Sequence, residues 1–422
     1  MRGQAVTERC DEAPTAGGGA VTAGPGARGL AVTKPPTTWG ACPGRDWGAC
    51  RASTRRERLL AALRFEKTDR VPLLGGWVLG DLQHQALAGC TAEEYWEDPL
   101  QWAIEAHRAL DVDGMIMVVV PEQPGDYRGG LTKEKFEAYK DRYRTPEDVL
   151  AFARSRPSPA EALRKFDGET WRQDFKAHIL AMQQRMGDVV YLPTLWEVVH
   201  PRFEWYGDFG YENYLMFMQL YPEAAGRLFE SEVGLCRRKA EIVVEVFREL
   251  DMVPLTLIGT DICGGGGPVI SPKFLREFYF PHVRRAIEPL REAGIRMVWH
   301  SDGDFRLIVD DLLACGISGF QGFQEEYGVD IAELARRRTL DGQRLTMWAG
   351  PSVTTTLPFG TVEQVRRDVE RIMDTLAQKC ALFILPANNI LPDCPVDNIV
   401  AMYRHAAEYS GPSRKPGVSR RT

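Results

Sequence analysis

LTLIGTDICGGGGPVISPKFLREFYFPHVRRAIEPLREAGIRMVWHSDGD, residues 255–304, decides the fold. It begins with one apolar run, Leu255–Gly259, and nearly ends with another, Arg296–Trp299. Runs of this kind, apolar without strict alternation, read as parallel strands buried on both faces. Between them Ser271-Pro272 opens a helix, with Pro at the first helical position. That helix runs to Gly294, and Pro281 marks a kink within it. Strand, helix, strand is the unit of an α/β fold.

The same unit repeats outward. Apolar runs recur at Val71–Trp77, Gly114–Val120 and Val189–Trp196, then at Ile317–Phe320, Leu345–Trp348 and Leu382–Leu385. With the two already quoted they make eight. Helices are expected at 304–315, 330–338 and 361–377, with a last one opened by Pro395. Spans 121–188 and 200–250 hold more helix than one crossover needs and read as helical insertions. Eight strands alternating with helices predict a (β/α)8 TIM barrel. A doubly wound sheet is the rival, but no G-x-G-x-x-G follows the first run. The run Gly264–Gly267 is not followed by Lys-Ser/Thr, so it is not a phosphate-binding P-loop.

Residues 1–52 are different in kind. Of the chain's 40 Gly and 27 Pro, 10 and 5 fall in the first 50 residues. The segment has no hydrophobic period and is expected to be a disordered Gly/Pro-rich tail. A targeting peptide and a misassigned start are two further readings of it. The ordered unit is expected over 53–410, its first helix capped at Ser53-Thr54, with a polar tail over 411–422.

Composition narrows the function. A net charge of −6, from 52 basic and 58 acidic residues, argues against a general nucleic-acid binder. No stretch reaches the ~20 apolar residues of a membrane span. Nine scattered Cys without a CxxC pair point to a reducing, cytoplasmic compartment.

Chemistry in such a barrel gathers where strands end. The fifth run ends in His300-Ser301-Asp302-Gly303-Asp304, the densest polar cluster of the chain. Strand residues i and i+2 share a face, so His300 and Asp302 can point together. They could bind a divalent metal, act as a general acid/base pair, or serve structure under a loop. Asp304 reads as a helix cap. Asp261 leaves the fourth run just before the glycines, either as a base or ligand or as an Asx-turn. Glu197 reads as the partner of Arg202, and Glu325-Glu326 as a solvated face. Gln321, Asn388, Trp77 and Trp196 fall at other strand ends and are candidates for substrate binding. Trp77, Trp196, Trp299 and Trp348 together could wall an aromatic pocket or close the barrel top.

Four segments carry a family resemblance: RRERLLAALRFEKTDRVPLL from Arg55, ISPKFLREFYFPHVRRAIEPLREAGIRMVWHSDGD from Ile270, VTTTLPFGTVEQVRRDVERIMDTL from Val353 and PANNILPDCPVDNIVAMY from Pro386. The chain resembles the uroporphyrinogen decarboxylase superfamily over roughly residues 54–409. That implies the same (β/α)8 barrel, and a homodimer paired through its loops. The decarboxylases of that superfamily carry an Arg-rich first loop for their polyacid substrate. Here the loop reads Leu73–Gly80 and holds no Arg. The methyltransferases of that superfamily use an H-x-C motif and a later Cys to hold zinc, which activates a thiol. His300 matches the His, but Asp302 stands for the Cys and Asn388 falls at the later position. Cys394 lies six residues after Asn388, past Pro392, and Cys263 at the end of the fourth run is the thiol that could substitute. The resemblance implies methyl transfer from a small donor to a corrinoid protein, with a divalent metal such as zinc at His300 and Asp302. A porphyrin-pathway decarboxylase and a non-catalytic ligand-binding barrel are the alternatives.

Overall fold

A computed structural model describes residues 53–125 and 143–410. The tails expected at 1–52 and 411–422 lie outside the described residues. Each apolar run contributes one parallel strand. These are β1 Leu74–Gly75, β2 Gly114–Met115, β3 Val190–Tyr191 and β4 Leu255–Gly259. A small antiparallel hairpin follows, β5 Cys263–Gly264 and β6 Gly267–Pro268. Then come β7 Arg296–His300, β8 Gly319–Gln321, β9 Thr346–Ala349 and β10 Ala381–Ile384. Several paired segments are shorter than the apolar runs, most clearly β2, where Ile116–Val120 leave the ladder.

Strands pair in the orders β1-β2-β3 and β10-β9-β8-β7-β4. Isolated parallel bridges join these two sheets at both edges, Leu73 to Ile384 and Thr194 to Leu257. Ile384 N donates to Pro72 O at 2.9 Å, and Leu195 N to Leu257 O at 2.8 Å. The eight parallel strands therefore run round a closed ring, as an α/β barrel requires.

Alternation along each strand sorts residues between two cores. Leu74, Ile116, Leu192, Leu257, Val298, Trp348 and Phe383 form the interior cluster. Met297, Trp299, Phe320, Met347 and Leu382 belong to the outer cluster, against the helices. With Val298 inward and Trp299 outward, His300 at the next position turns inward. The helix Arg55–Leu63 adds Leu59, Ala62 and Leu63 to the interior cluster. Thr54 caps it in a capping box with Glu57. Arg58 and Arg70 pair with the fully buried Asp113, which also accepts from Leu73 N at 2.9 Å. These ties fix the helix to the start of β1 and β2.

The insertions are helical: Pro146–Ser155, Pro159–Lys165 and Gly168–Met186 before β3, then Tyr211–Leu220 and Pro222–Glu249 before β4. The kink expected at Pro281 is a full break. Helices Pro272–Phe278 and Phe280–Glu292 are separated at Tyr279 (φ −121°, ψ −59°). The helix expected over 330–338 is only Ile331–Leu334, because the chain turns back to bridge Arg338 with Arg344. Gly259 at the end of β4 has φ +146°, and a Cβ there would lie 2.3 Å from His300 O. Only glycine lets β4 meet β7 this closely, directly beneath the candidate site.

Candidate functional site

β4 and β7 bring their polar ends together above Gly259. Nε2 of His300 stands 3.5 Å from Oδ1 of Asp302 and 3.8 Å from Oδ1 of Asp261. The Asp261 carboxylate also accepts from Asp302 N at 3.1 Å. His300 is buried, while Asp261 and Asp302 are partly exposed towards the mouth. One ligand atom from each of the three lies within 4.8 Å of the others, a spacing that could hold a metal ion. Partial burial raises the Asp261 carboxyl above its ordinary range; His300 opposes this and the Asp302 charge adds to it.

The other expected residues surround this cluster. Asn388, after β10, donates to Asp302 Oδ1 at 2.6 Å. The rings of Trp77 and Trp196 both lie 5.4 Å from the His300 ring. Gln321 is fully buried behind His300 rather than facing the mouth. Its amide donates to Pro386 O at 3.1 Å and Ala387 O at 2.8 Å, and its oxygen meets Nδ1 of His300. Trp299 and Trp348 do not join the pocket. Trp299 lies in the outer core with its ring 5.1 Å from that of His200, and Trp348 fills the barrel interior.

A second group of acids lies behind Asp261, and sequence reasoning missed most of it. Glu204 accepts from Asp261 N at 2.9 Å. Glu197 accepts from Phe203 N at 2.7 Å and Glu204 N at 2.9 Å, and stands 3.5 Å from Arg202. The pairing expected for Glu197 is thus present, within a larger network. Thr260 Oγ1 touches Glu197 Oε1 at 2.8 Å and Glu204 Oε1 at 3.1 Å. A hydroxyl has one hydrogen to donate, so the two carboxyls suit a shared proton. Burial, then the Asp261 charge, pushes Glu204 up to about 7. Burial and the Glu204 charge also hold Glu197 well above its ordinary range. Tyr206 and Tyr211 stack beside this group at 4.2 Å. The signal in the sequence was the pair Glu197 and Arg202 after the third run. Glu204 arrives by a fold-back of the chain.

The remaining expectations resolve as structure. Asp304 accepts from Arg306 N at 3.1 Å. Glu325 pairs with Arg371, and Glu326 accepts from Ser352 at 2.9 Å, so neither is merely solvated. Clefts of ≈ 360 and ≈ 370 Å³ border the last helix, lined by Glu363, Arg366 and His405 and by Asp111, Tyr403 and Arg404. Neither reaches the strand ends.

A thiolate zinc centre does not fit these residues. The described donor set has two carboxylates and an imidazole, with no thiolate. Burial pushes both the Cys263 and Cys394 thiols up to about 12, and neither sulfur belongs to that donor set. The Cys394 thiol donates to Leu357 O at 3.4 Å, away from the cluster.

Comparison with known proteins agrees with this architecture. The family model for uroporphyrinogen decarboxylase (URO-D) matches residues 206–409. The expected resemblance to the uroporphyrinogen decarboxylase superfamily is thereby borne out over that stretch, just under half of the chain. A methyltransferase from Methanosarcina mazei has a similar fold, with a TM-score of 0.56 at 16% identity. The alignment covers 84% of this chain and 98% of that one. No curated protein matches the sequence. Among the described residues, no helix is long and apolar enough to cross a membrane.

Proposed function

We propose that residues 53–410 form one barrel domain that transfers a methyl group from a small donor to the corrinoid of a separate protein. One observation carries this reading: the mouth is acidic where a decarboxylase of a polyacid needs cations. The loop Leu73–Gly80 has no Arg, while Asp261 and Asp302 face the mouth with Glu204 behind them. Arg202 and Arg306, near in sequence to these acids, are committed to Asp208 at 2.7 Å and Asp304 at 2.8 Å. A substrate with eight carboxylates would meet repulsion in place of the usual anchors.

In such a transfer a reduced corrinoid, when bound at the mouth, would supply the electron pair for the new bond to the methyl carbon. The old carbon–heteroatom bond breaks, and its pair stays on the leaving atom. Asp261, His300 and Asp302 are placed to receive that atom, with a proton or a bound cation between them neutralising the new charge. Trp77 and Trp196 confine the donor above His300 and exclude water. Gln321 holds the imidazole in place, and Asn388 holds Asp302. The corrinoid protein would dock at the open mouth.

The test mixes the full chain with a reduced corrinoid protein and methoxylated or methylated-amine donors. Conversion of the corrinoid spectrum to the methylated form, lost in His300→Ala, is the expected result. Turnover of uroporphyrinogen above a heat-killed control would replace this reading with decarboxylation, the activity that gives the matched family its name.

A further inference from the structure

Gln321 settles which nitrogen of His300 carries hydrogen. Its amide group is spent on two backbone carbonyls, at 3.1 and 2.8 Å, so the oxygen must be the atom turned to Nδ1. That oxygen can only accept, and Nδ1 of His300 therefore donates to it. In the neutral ring, Nε2 is left as a bare lone pair. It makes no hydrogen bond, on a side chain that is 6% exposed, and it faces carboxylate oxygens of Asp302 at 3.5 Å and Asp261 at 3.8 Å.

Three electron-rich atoms thus converge on one point, a repulsive arrangement unless something positive lies between them. A proton on Nε2 fits poorly, because a charged N–H···O bond closes to about 2.7–2.9 Å. A divalent ion fits better. Bonds of about 2.1 Å place neighbouring ligand atoms about 3.0 Å apart in an octahedral shell and about 3.4 Å apart in a tetrahedral one, so a small inward shift of the two carboxylates closes either shell. Histidine ligands are commonly oriented by an acceptor on the other nitrogen, the part Gln321 takes here.

We infer that Asp261, His300 and Asp302 form a binding site for a hard divalent cation of the manganese type, with Gln321 and Asn388 as positioning residues. Two carboxylates and one imidazole favour such an ion over one that seeks thiolates. Asp261 follows β4, His300 ends β7 and Asp302 follows it, so the site spans the strand junction opened by Gly259. The inference stands whichever reaction the enzyme performs, because binding alone tests it.

The experiment strips the full-length protein with chelator and titrates it with Mn²⁺, reading free ion by electron paramagnetic resonance. One ion per chain is expected. Asp261→Asn and His300→Ala should each weaken binding more than about tenfold, with unchanged circular dichroism. Cys263→Ser and Cys394→Ser should bind as wild type does. Co²⁺ in the same site should give d–d bands without a thiolate charge-transfer band. The inference is overturned if wild type binds no Mn²⁺, if Asp261→Asn binds as tightly as wild type, or if a thiolate band appears. Should His300→Ala fail to fold, the near-isosteric Asp261→Asn and the cobalt spectrum still decide the matter.

Discussion

The amide of Asn388 donates to Oδ1 of Asp302 at 2.6 Å, and the same oxygen stands 3.5 Å from Nε2 of His300. One residue from the end of β10 thereby sets the position of a carboxylate at the end of β7. Asn388→Ala frees Asp302 to swing towards the open mouth. The expected loss is about tenfold in cation affinity, as for other residues that orient a ligand. Titration with Mn²⁺ reads it, and unchanged affinity would mean Asp302 is placed by its backbone alone.

Asp302 and Asn388 also fall where the superfamily resemblance leads one to expect thiolates. The double variant Asp302→Cys/Asn388→Cys should convert the site to a soft one. A thiolate band is expected in its Co²⁺ spectrum, with Zn²⁺ preferred over Mn²⁺. A spectrum like that of wild type would show that the two positions cannot reach a common ion.

Glu204 imposes a pH dependence on stability. Its native value is pushed up to about 7 from an ordinary 4.5. Between those values the native state holds more protons than the unfolded chain, so stability falls as pH rises through that window and then levels. Glu204→Gln removes the burden while keeping an acceptor for Asp261 N. Its melting temperature should rise relative to wild type at pH 8, with little gain at pH 4.5. An equal gain at both pH values would place the effect in packing.

Three buried histidines act at the acid end. Burial lowers His84 to about 3 and His107 and His200 to about 4, so all three stay neutral in the native protein. Below the unfolded value of about 6.5, the unfolded chain gains protons that the native state does not. Each such histidine costs up to about 1.4 kcal/mol per pH unit there. Urea midpoints should fall steeply between pH 6.5 and 5, and less steeply in His107→Gln. A slope unchanged by that substitution would remove His107 from the account.

Gly259→Ala tests the close approach of β4 and β7. The new Cβ would lie 2.3 Å from His300 O, at a φ of +146° that alanine adopts poorly. A loss on the order of 3 kcal/mol is expected from strain and overlap together. Denaturant unfolding equal to wild type would mean that the strands part at no cost.

The eight apolar runs announced eight strands because parallel strands under helices need apolar residues on both faces. Their paired lengths were not legible, since an apolar residue beyond a ladder is buried just as well by the loops above it; Ile116 is an example. At the site, His300, Asp302 and Asp261 could be found because strand ends are where barrels place chemistry. Glu204 could not, because it reaches Asp261 only by folding back from the segment after β3. Gln321 was visible as a strand-end residue, but its direction was not. Facing His300 rather than the mouth depends on the carbonyls of Pro386 and Ala387, far away in sequence. Trp299 and Trp348 sat at strand ends by number, and strand parity and depth sent them elsewhere.

The helix Arg55–Leu63 rests its apolar stripe among interior residues that include Phe383 and Leu385. A ribosome completes this helix long before those partners. Until β10 has emerged, Leu59, Ala62 and Leu63 have no finished seat, and the seam between β1 and β10 cannot form. Closure of this barrel is therefore a late, long-range event, and holding chaperones would find their target in the part of the fold that emerges first.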